Sequence, residues 1–322
     1  MNTVPLYILI TVQIFFLSWV SFACGSGKEL NIAMVLWRGE TKAEEGFKAG
    51  MKELGYSVNY THLDAGQDVK KLGLLLRDIS QTVEEYDYIY TFGTTVSRRA
   101  KVIINGRVPQ IFNAVTDPVG AGIVERIESP GNLIGGASDS VPSSLQVQGI
   151  LEVMKVNRLG LFFNPREKNS MLIRSEFYQH ARNNNFEIID FRSPPVGNLL
   201  EQNLQRIIDD PSLVDAVFFP SDSFLASRAD YIGSKLKQVR IASFCSLKDY
   251  IKGGLLMGFV VDYFRLGKDV ATIIDKHQKG TKFPDIQIVL PSEHPLYINI
   301  TTKELLGLTL PEALLEKSVI YR

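Results

Sequence analysis

The sequence has no excess of charge of either sign, and this balance bears on its partners. Lysine and arginine together number 35, and aspartate and glutamate together also number 35, in a chain of 322 residues. A protein that neutralises the phosphates of a nucleic acid needs a surplus of basic side chains. The composition therefore argues against nucleic acid as a partner.

Cysteine is scarce, because the chain has only Cys24 near its start and Cys245 far along it. Cys245 follows the apolar run 241–244, where a cysteine is usually a small buried side chain. Two cysteines in such different settings do not predict a structural disulfide, even in an oxidising compartment.

The common catalytic motifs are also missing. The sequence has no Gly-x-Ser-x-Gly turn, no His-Glu-x-x-His and no complete phosphate-binding loop. Its four histidines are scattered along the chain, and none lies near a nucleophile in sequence: His62, His180, His277 and His294. We therefore expect no catalytic residue, no metal site and no cofactor. An exported α/β hydrolase remains a less favoured alternative, since residues distant in sequence can meet in the fold.

Long apolar runs are absent except at the N-terminus. Residues 6–23 carry no charge, which is typical of a secretory signal peptide. Small residues at Ser21 and Ala23 suit cleavage before Cys24, so we expect a signal peptide over 1–23 and a flexible tether over 24–29. The site resembles a bacterial lipoprotein processing site, which predicts lipidation of Cys24 and a periplasmic or membrane-anchored protein. The alternatives are plain cleavage with a free thiol and an uncleaved anchor.

Beyond the N-terminus, predicted strands and helices alternate. The first group has strands at 30–36, 57–60, 88–92, 110–114 and 133–135, with helices after Thr41 and at 68–82 and 96–104. After a polar break at 138–144, the second group has strands at 158–163, 186–191, 216–220 and 240–244, with helices at 144–154, 171–184, 199–208, 223–236 and 247–252. This rhythm predicts an α/β fold of two units, each a parallel sheet covered by helices on both faces. Within 68–82 we expect Val69, Leu72, Leu76 and Ile79 to face inward.

The last seventy residues are too sparse in predicted elements to form a third unit. They have strands at 256–260, 286–290 and 296–300 and helices at 264–278 and 302–306. We expect them to complete the two sheets, so that the chain crosses between two lobes near 138–143, 258–262 and 291–296. The first lobe would comprise 30–140 plus about 262–290, and the second 141–261 plus about 296–322, with a three-crossover hinge between them.

One segment, Gln110–Val124, joins an apolar strand to a polar end. Asp117-Pro118 forces a turn, because proline disfavours helical backbone in the residue before it. Gly120 and Gly122 then allow the backbone to approach a neighbour closely. Ligands of open α/β sheets bind at the carboxyl ends of the strands. We therefore expect this segment to face a ligand.

Several short motifs occur in a fixed order along the chain. They are Val-Thr-Asp-Pro-Val-Gly-Ala-Gly at 115–122, Asn164-Pro165 with Asn169-Ser170, Pro220-Ser221-Asp222, Val261-Asp262-Tyr263 with Leu266-Gly267, and Leu296-Tyr297-Ile298-Asn299 with Leu306-Gly307-Leu308. In order and spacing they resemble the ABC transporter substrate-binding protein family, which is periplasmic-binding-protein-like and whose studied members bind aromatic amino acids such as tryptophan or tyrosine. The resemblance extends over about 30–315.

The resemblance implies a type I fold with two Rossmann-like lobes and a small-molecule solute in the cleft between them. It also implies delivery of the solute to an ABC permease in the membrane, and we expect the protein to act as a monomer. The loops differ from the family pattern at Thr95-Val96, where many relatives have a proline, and at 37–41, which lacks a histidine often seen there. These loops face the cleft, so the identity of the solute stays open.

If the lobes face each other across their strand ends, five loops converge on the cleft. These loops are 37–41, 93–95, 113–117, 164–170 and 222–223. We predict ligand contacts from these loops and from the far side of the cleft at Trp37, Thr41, Gly93, Thr94, Thr95, Asn113, Thr116, Asp117, Asn164, Glu167, Ser170, Asp222 and Phe244.

An amino-acid zwitterion needs three kinds of contact in that cleft. Hydroxyl groups at Thr94, Thr95 and Thr116, together with N–H groups at helix N-termini, can bind the carboxylate. Asp222 or Glu167 can bind the ammonium group. Trp37 or Phe244 can form an apolar wall, and burial of an aromatic or branched side chain against it contributes about 2–3 kcal/mol. Several of these residues also have an ordinary structural interpretation as helix or turn caps.

The leading hypothesis is a solute receptor, not an enzyme, that feeds an ABC importer. The alternative is a receptor of the same fold that partners a sensor kinase. A cytoplasmic repressor with a related core would need a DNA-reading helix pair at the N-terminus, where the apolar export segment lies instead.

Overall fold

The chain forms two α/β lobes around separate sheets, as the alternation of strands and helices predicts. The computed structural model describes residues 29–131 and 133–322. The predicted signal peptide, the predicted lipidation at Cys24 and the predicted tether up to residue 28 lie outside the described residues. The architecture confirms the predicted fold class.

The first sheet has five parallel strands. In chain order they are β1 (Leu30–Leu36), β2 (Val58–Asp64), β3 (Tyr88–Phe92), β4 (Gln110–Asn113) and β5 (Ile134–Gly136), and their order in the sheet is β2-β1-β3-β4-β5. The helices α1 (Lys42–Glu53), α2 (Val69–Gln81) and α3 (Thr94–Ile104) connect them. β3 and β4 are buried along their whole length, as expected for central strands of a sheet covered on both faces.

Side-chain caps fix where the first helices begin. Thr41 and Glu44 form a capping box on α1, in which the Thr41 hydroxyl accepts from Ala43 N and the Glu44 carboxylate accepts from Thr41 N at 2.7 Å. Asp68 caps α2 by accepting from the N–H groups of Lys70 and Lys71. Both caps hold the loops that follow β1 and β2 at the same edge of the sheet.

The second sheet has seven strands. They are β6 (Arg158–Phe163), β7 (Glu187–Arg192), β8 (Ala216–Phe219), β9 (Ala242–Cys245), β10 (Met257–Phe259), β11 (Leu296–Asn299) and β12 (Ser318–Tyr321), in the order β12-β11-β10-β9-β8-β6-β7. β10 and β11 are antiparallel, and the other pairs are parallel. The helices of this part are α4 (Ser143–Val153), α5 (Lys168–Asn184), α6 (Leu199–Asp209), α7 (Ser223–Ser227), α8 (Ala229–Gln238), α9 (Lys248–Lys252), α11 (Ile300–Leu306) and α12 (Glu312–Glu316).

One late helix, α10 (Tyr263–Gln278), returns to the first lobe and packs on α1. The two helices approach so closely that a methyl group on Gly46 would lie 1.9 Å from the Phe264 carbonyl oxygen. A methyl group on Gly267 would lie 2.0 Å from the Ala43 carbonyl oxygen. The glycines are therefore required for the contact that joins the late segment to the first lobe.

The chain passes between the lobes three times, at 137–142, 260–262 and 290–295. Separate apolar cores lie on either side of these crossings, one on the first sheet and others on the two faces of the second. The crossings agree with the predicted hinge, whereas the assignment of residues to lobes stays a prediction.

Four local expectations differ from the structure. The predicted strand 286–290 is reduced to a single bridge between Ala137 and Val289, because its partner segment turns away into the first crossover. Val69 is exposed, since the first turn of α2 lies at the rim of the sheet. The predicted helix 223–236 is broken at Arg228, whose N–H bonds Leu225 O three residues back. α3 begins at Thr94, so Thr94 and Thr95 belong to its first turn instead of preceding it.

Candidate functional site

A cavity lies between the lobes, where the carboxyl ends of the strands of both sheets meet. Its walls are formed by Trp37, Arg38, Phe92, Gly93, Thr94, Thr95, Ala114, Asp139, Glu167, Asn169, Ser221, Asp222, Ser223, Leu247 and Tyr263. The cavity is narrow, with a volume of only about 20 Å³. A solute of amino-acid size therefore needs the lobes or the side chains to move apart before it enters.

The first lobe contributes an aromatic and a helix N-terminus. Trp37 follows β1 directly and is buried, and Phe92 ends β3. Gly93 takes a positive φ of 85°, which lets the chain turn from β3 straight into α3. The first turn of α3 thus lies at the cavity wall, where the unpaired N–H groups and the dipole of a helix N-terminus favour an anion.

The second lobe contributes two buried carboxylates that share the N-terminus of α7. Asp222 caps this helix, with Oδ1 accepting from Leu225 N at 2.9 Å. Glu167 reaches the same turn, with Oε2 accepting from Ser223 N at 3.0 Å. Neither carboxylate forms a salt bridge with a cation in the described chain, and Arg38, the cation of the same cavity wall, pairs instead with Asp249 at 3.6 Å.

Burial changes the protonation of this pair. Burial raises the pKa of Glu167 above its usual range, against the opposing effect of the Ser223 N–H. Burial and then the charge of Glu167 raise the pKa of Asp222 well above its usual range. Because like charges in a dry site disfavour double ionisation, the pair keeps a proton to higher pH than an ordinary carboxyl group does.

A third carboxylate, Asp139, lies on the first crossover and collects bonds from both lobes. Its Oδ1 accepts from Thr116 Oγ1 at 2.9 Å, and its Oδ2 accepts from Ser221 Oγ at 3.2 Å and from Tyr263 Oη at 2.6 Å. Three hydroxyl donors satisfy this group within the protein. Its role is therefore to join the lobes at the back of the cavity, in contrast to Glu167 and Asp222.

Unpartnered polar atoms concentrate at the cavity. Seven buried side-chain N or O atoms have no hydrogen-bond partner within the described residues, and four of them belong to residues of the cavity wall: Trp37 Nε1, Arg38 Nε, Thr94 Oγ1 and Asp222 Oδ2. The Trp37 indole N–H is close enough to Glu167 to lower the pKa of that carboxyl group, but it lies outside hydrogen-bond geometry. A buried polar atom without a partner costs about 1–3 kcal/mol. Donors and acceptors that lack partners inside one cavity indicate that a ligand supplies them.

Six of the predicted contact residues line this cavity, namely Trp37, Gly93, Thr94, Thr95, Glu167 and Asp222. They come from four different loops, which the fold brings together at the strand ends. Contact between these side chains and a ligand stays a prediction, but their convergence agrees with it.

Four predicted residues of the first lobe lie outside the cavity wall. Thr41 is occupied with capping α1, and Asn113 donates from Nδ2 to Tyr90 Oη at 3.0 Å inside the lobe. Asp117 accepts from Gly120 N at 2.7 Å and stabilises its own turn. Thr116 does not line the cavity, but its hydroxyl donates a hydrogen bond to Asp139, which does.

Three predicted residues of the second lobe also lie outside it. Asn164 Oδ1 accepts from Arg166 N, and Ser170 Oγ accepts from Asn164 N, so both shape the loop after β6. Phe244 is 1% exposed, belongs to an apolar core of the second sheet and pairs with Phe218 across β8 and β9. Alternation along β9 directs its side chain to the core face of the sheet, and it is not among the residues that line the cavity.

Sequence reasoning missed several residues of the wall, including Arg38, Asp139 and Tyr263. Arg38 lies in the predicted loop 37–41, in which we expect contacts only from Trp37 and Thr41. Asp139 lies on the first crossover, and Tyr263 begins α10 directly after the second, where the sequence predicts only a hinge. A signal did exist for Tyr263, since it belongs to the Val261-Asp262-Tyr263 motif.

Two further properties concern the described part of the chain. None of its helices combines the length and the apolar character needed to cross a membrane. Within 29–131 and 133–322, no group of three or more His, Cys, Asp or Glu side chains could hold a metal ion.

Comparisons with known proteins agree with this geometry. The family model described as ABC transporter substrate binding protein matches residues 31–320. A curated relative, the tyrosine-binding protein of Clostridioides difficile (strain R20291), is 24% identical over 273 residues, which cover 83% of this chain and 77% of the relative.

Solved structures share the fold. The ABC domain from Streptococcus pneumoniae in complex with L-Trp matches with a TM-score of 0.82 at 23% identity, covering 91% of this chain and 99% of that one. A conserved domain protein from Vibrio cholerae matches with a TM-score of 0.83 at 23% identity, covering 92% and 100%. The family match spans almost all of the described residues, and the family binds solutes and does not catalyse reactions. The chain therefore belongs to the ABC transporter substrate-binding protein family.

Proposed function

We propose that this protein is the extracytoplasmic solute-binding component of an ABC importer and that it captures an α-amino acid between its lobes. The observation that carries the proposal is the set of unpartnered buried atoms at the cavity, which includes donors and an acidic acceptor on opposite walls. A ligand that fits must offer both an anion and a cationic donor.

A zwitterion meets both requirements. Its carboxylate would lie at the N-terminus of α3, where Thr94 has a free hydroxyl and the Arg38 guanidinium lies on the same cavity. Its ammonium group would lie against Asp222 and Glu167, whose carboxyl groups have pKa values raised by burial, and would offset the negative charge of the pair. Each lobe would thus bind one end of the ligand.

The rest of the wall favours an aromatic side chain. Trp37, Phe92, Tyr263 and Leu247 surround the cavity with apolar surface. Phe92 and Tyr263 already contact each other edge to face, with ring centroids 6.2 Å apart. An aromatic ligand ring could join such a cluster and gain about 0.5–1.5 kcal/mol beyond its area burial. The ligands named for two relatives, tyrosine and L-Trp, support this preference.

Binding of the two ligand ends to different lobes explains how the solute closes the protein. Only the closed arrangement offers the α3 N-terminus and the acidic pair at once. The ligand therefore shifts the population toward the closed state by the difference between its affinities for the two arrangements.

Mass spectrometry of the solute that co-purifies with the protein tests the proposal. We expect denaturation of freshly purified protein to release one kind of free α-amino acid, close to one molecule per chain. Release of a sugar, a nucleoside or a dicarboxylate at that ratio would show that the cavity serves a different class of solute.

We also propose that the protein is exported, that it is cleaved before Cys24 and that a lipid on this cysteine holds it at the membrane. The support is the apolar segment 6–23 with small residues before the cysteine. The intact mass of the protein from its native membrane should equal residues 24–322 plus a diacylglyceryl group and an N-acyl chain. A mass that includes residues 1–23 would refute cleavage, and an unmodified Cys24 would refute lipidation.

A further inference from the structure

A basic surface lies on the first lobe outside the solute cavity. A shallow groove on α2 and α3, which we call the arginine groove, is lined by Val69, Lys70, Gly73, Leu74, Arg77 and Arg99. Its helices also carry Lys71, Arg98 and Lys101. Since the chain as a whole has no net charge, this concentration of cations is a local feature.

The two arginines lie next to each other without an acid between them. A methyl group on Gly73 would lie 3.7 Å from Arg99 Nη1 and 3.8 Å from Arg77 Nη2, so both guanidinium groups flank the same glycine. Each donates only to a backbone carbonyl, Arg77 to Gly73 O at 3.1 Å and Arg99 to Val69 O at 3.5 Å. No carboxylate of the described chain forms a salt bridge with either. Like charges so placed attract an anion from outside the chain.

Two other cations on these helices already hold a turn of the first lobe. Arg98 donates to Ala121 O at 2.8 Å, and Lys101 donates to Gly122 O at 2.9 Å, so both hold the turn of the 115–122 motif. Asp68 is engaged as the cap of α2. Arg77 and Arg99 therefore remain available to a partner, together with Lys70 at the end of the groove.

Apolar side chains surround the pair. Leu74 is 57% exposed and Val102, three residues after Arg99, is 76% exposed. Large apolar side chains at such exposure, next to free guanidinium groups, are typical of an interface that buries an apolar residue beside an acidic one. A free inorganic anion has no apolar surface and would leave these two side chains exposed.

The groove is continuous with the mouth of the cleft. Val69 and Lys70 also line a second groove, to which the other lobe contributes Arg166, Pro195 and Phe224. A partner in the arginine groove that extends over Lys70 would contact both lobes, and this contact depends on how far they have closed. Recognition of the closed, loaded state is what an importer needs from its solute receptor.

We propose that the arginine groove docks an acidic segment, with an apolar residue beside the acid, of the importer's membrane permease. This inference rests on the importer function proposed above. Arg77 and Arg99 bind the carboxylates of that segment, and Leu74 and Val102 cover its apolar residue. Closure of the lobes completes the surface at Lys70 and Arg166.

Binding to washed membrane vesicles of the cells that make the protein tests the proposal. The reversal variant R77E/R99E is compared with wild type and with R182E/R192E, which reverses two exposed arginines of the other lobe. We expect R77E/R99E to bind about tenfold or more weakly, R182E/R192E to bind like wild type, and wild-type binding to weaken as salt rises from about 50 to about 500 mM. Photo-crosslinking residues at positions 74 and 102 should label a permease subunit.

Several results would overturn the inference. One is that R77E/R99E binds the vesicles as well as wild type, or that wild type does not bind them at all. Another is that wild type binds equally well to protein-free vesicles with about 30% phosphatidylglycerol. A third is that the photo-crosslinkers label a sensor kinase instead of a permease. Solute affinity, measured by calorimetry on the same variants, should be unchanged. The vesicle experiment therefore tests only the docking surface. The proposed solute-binding function fails separately, if neither wild type nor any variant binds an amino acid in calorimetry.

Discussion

Tyr263 donates a 2.6 Å hydrogen bond to Asp139, and this bond joins the first crossover to the start of α10. Asp139 lies on the first crossover, and Tyr263 begins α10 directly after the second. Burial, and then the charge of Asp139, raises the pKa of Tyr263 well above its usual range, so the hydroxyl stays a donor at all ordinary pH values. With Thr116 and Ser221 also bound to Asp139, one carboxylate ties both lobes to the hinge.

The first prediction concerns this tie. D139N replaces a two-oxygen acceptor by an amide whose nitrogen cannot accept the bonds that Thr116, Ser221 or Tyr263 donates. We expect the free energy of unfolding to fall by about 1–3 kcal/mol, since buried donors lose their partner. Solute affinity should fall as well. S221A, which removes one of the three donors, serves as the control with a smaller effect. Denaturant titration gives the free energy of unfolding. If this free energy and the solute affinity of D139N both equal those of wild type, Asp139 does not join the lobes as described.

The second prediction concerns the ammonium subsite. E167Q and D222N should each weaken the binding of an α-amino acid by about tenfold or more, because each removes a carboxylate from a dry site. E187Q, an exposed change on β7, should leave affinity unchanged. Isothermal titration calorimetry gives the comparison. An N-acetylated ligand, which has no ammonium group, should bind poorly to wild type. If it binds as tightly as the parent amino acid, the acidic pair does not read the ammonium group.

The third prediction follows from the raised pKa values of Glu167 and Asp222. A carboxyl group with a higher pKa in the folded chain holds its proton where the unfolded chain has lost it. Its contribution to stability is therefore present at low pH and is lost as pH rises from the unfolded pKa of about 4 through the raised folded value. Ligand affinity should instead increase as pH rises over the same range, because the ammonium group of the ligand competes with this proton.

The variant E167Q/D222N provides the control for this pH dependence. Denaturant titrations of ligand-free protein between about pH 5 and pH 8 should show a steeper decline of stability in wild type than in the variant. Parallel curves would mean that the pair titrates alike in the folded and unfolded chains.

The fourth prediction tests how α10 joins the first lobe. G46A places a methyl group 1.9 Å from Phe264 O, so the helices must separate, and we expect a loss of about 1–3 kcal/mol or more in the free energy of unfolding. G73A is the matched control, since a methyl group in α2 meets only arginine ends at 3.7 and 3.8 Å. It should stabilise by about 0.5–1 kcal/mol. Equal effects of the two changes would show that backbone contact between α1 and α10 is unimportant.

Much of the fold could be predicted because its strands are continuous apolar runs. β1, β3 and β6 have the bounds that the sequence predicts, namely 30–36, 88–92 and 158–163. Prediction failed where pairing is not encoded locally. Ile288 and Val289 are apolar enough for a strand, but only a single bridge to Ala137 forms, because the segment after Ala137 leaves for the second lobe. β12 was missed because Val319 and Ile320 lie exposed on an edge, with no buried period to reveal them.

The site was predictable to the level of loops and not of individual side chains. The loop after β3 and the loop after β8 do meet, since parallel strands end at one edge. Which side chain faces the cavity depends on caps and crossovers. Thr41 has the right chemistry but is consumed by its capping box with Glu44. Asp139 has no motif around it, and only the three-dimensional position of the hinge brings it to the wall.

Calorimetric titration of the mature protein, freed of co-purified solute, with a panel of free amino acids tests the central claim most directly. The account predicts that at least one aromatic L-amino acid binds at one site per chain, and that both its N-acetyl derivative and its amide bind at least about tenfold more weakly, because each loses one charged end. If no free amino acid binds, or if the derivatives bind as well as the parent, the cavity does not hold a zwitterion between the α3 N-terminus and the Glu167–Asp222 pair.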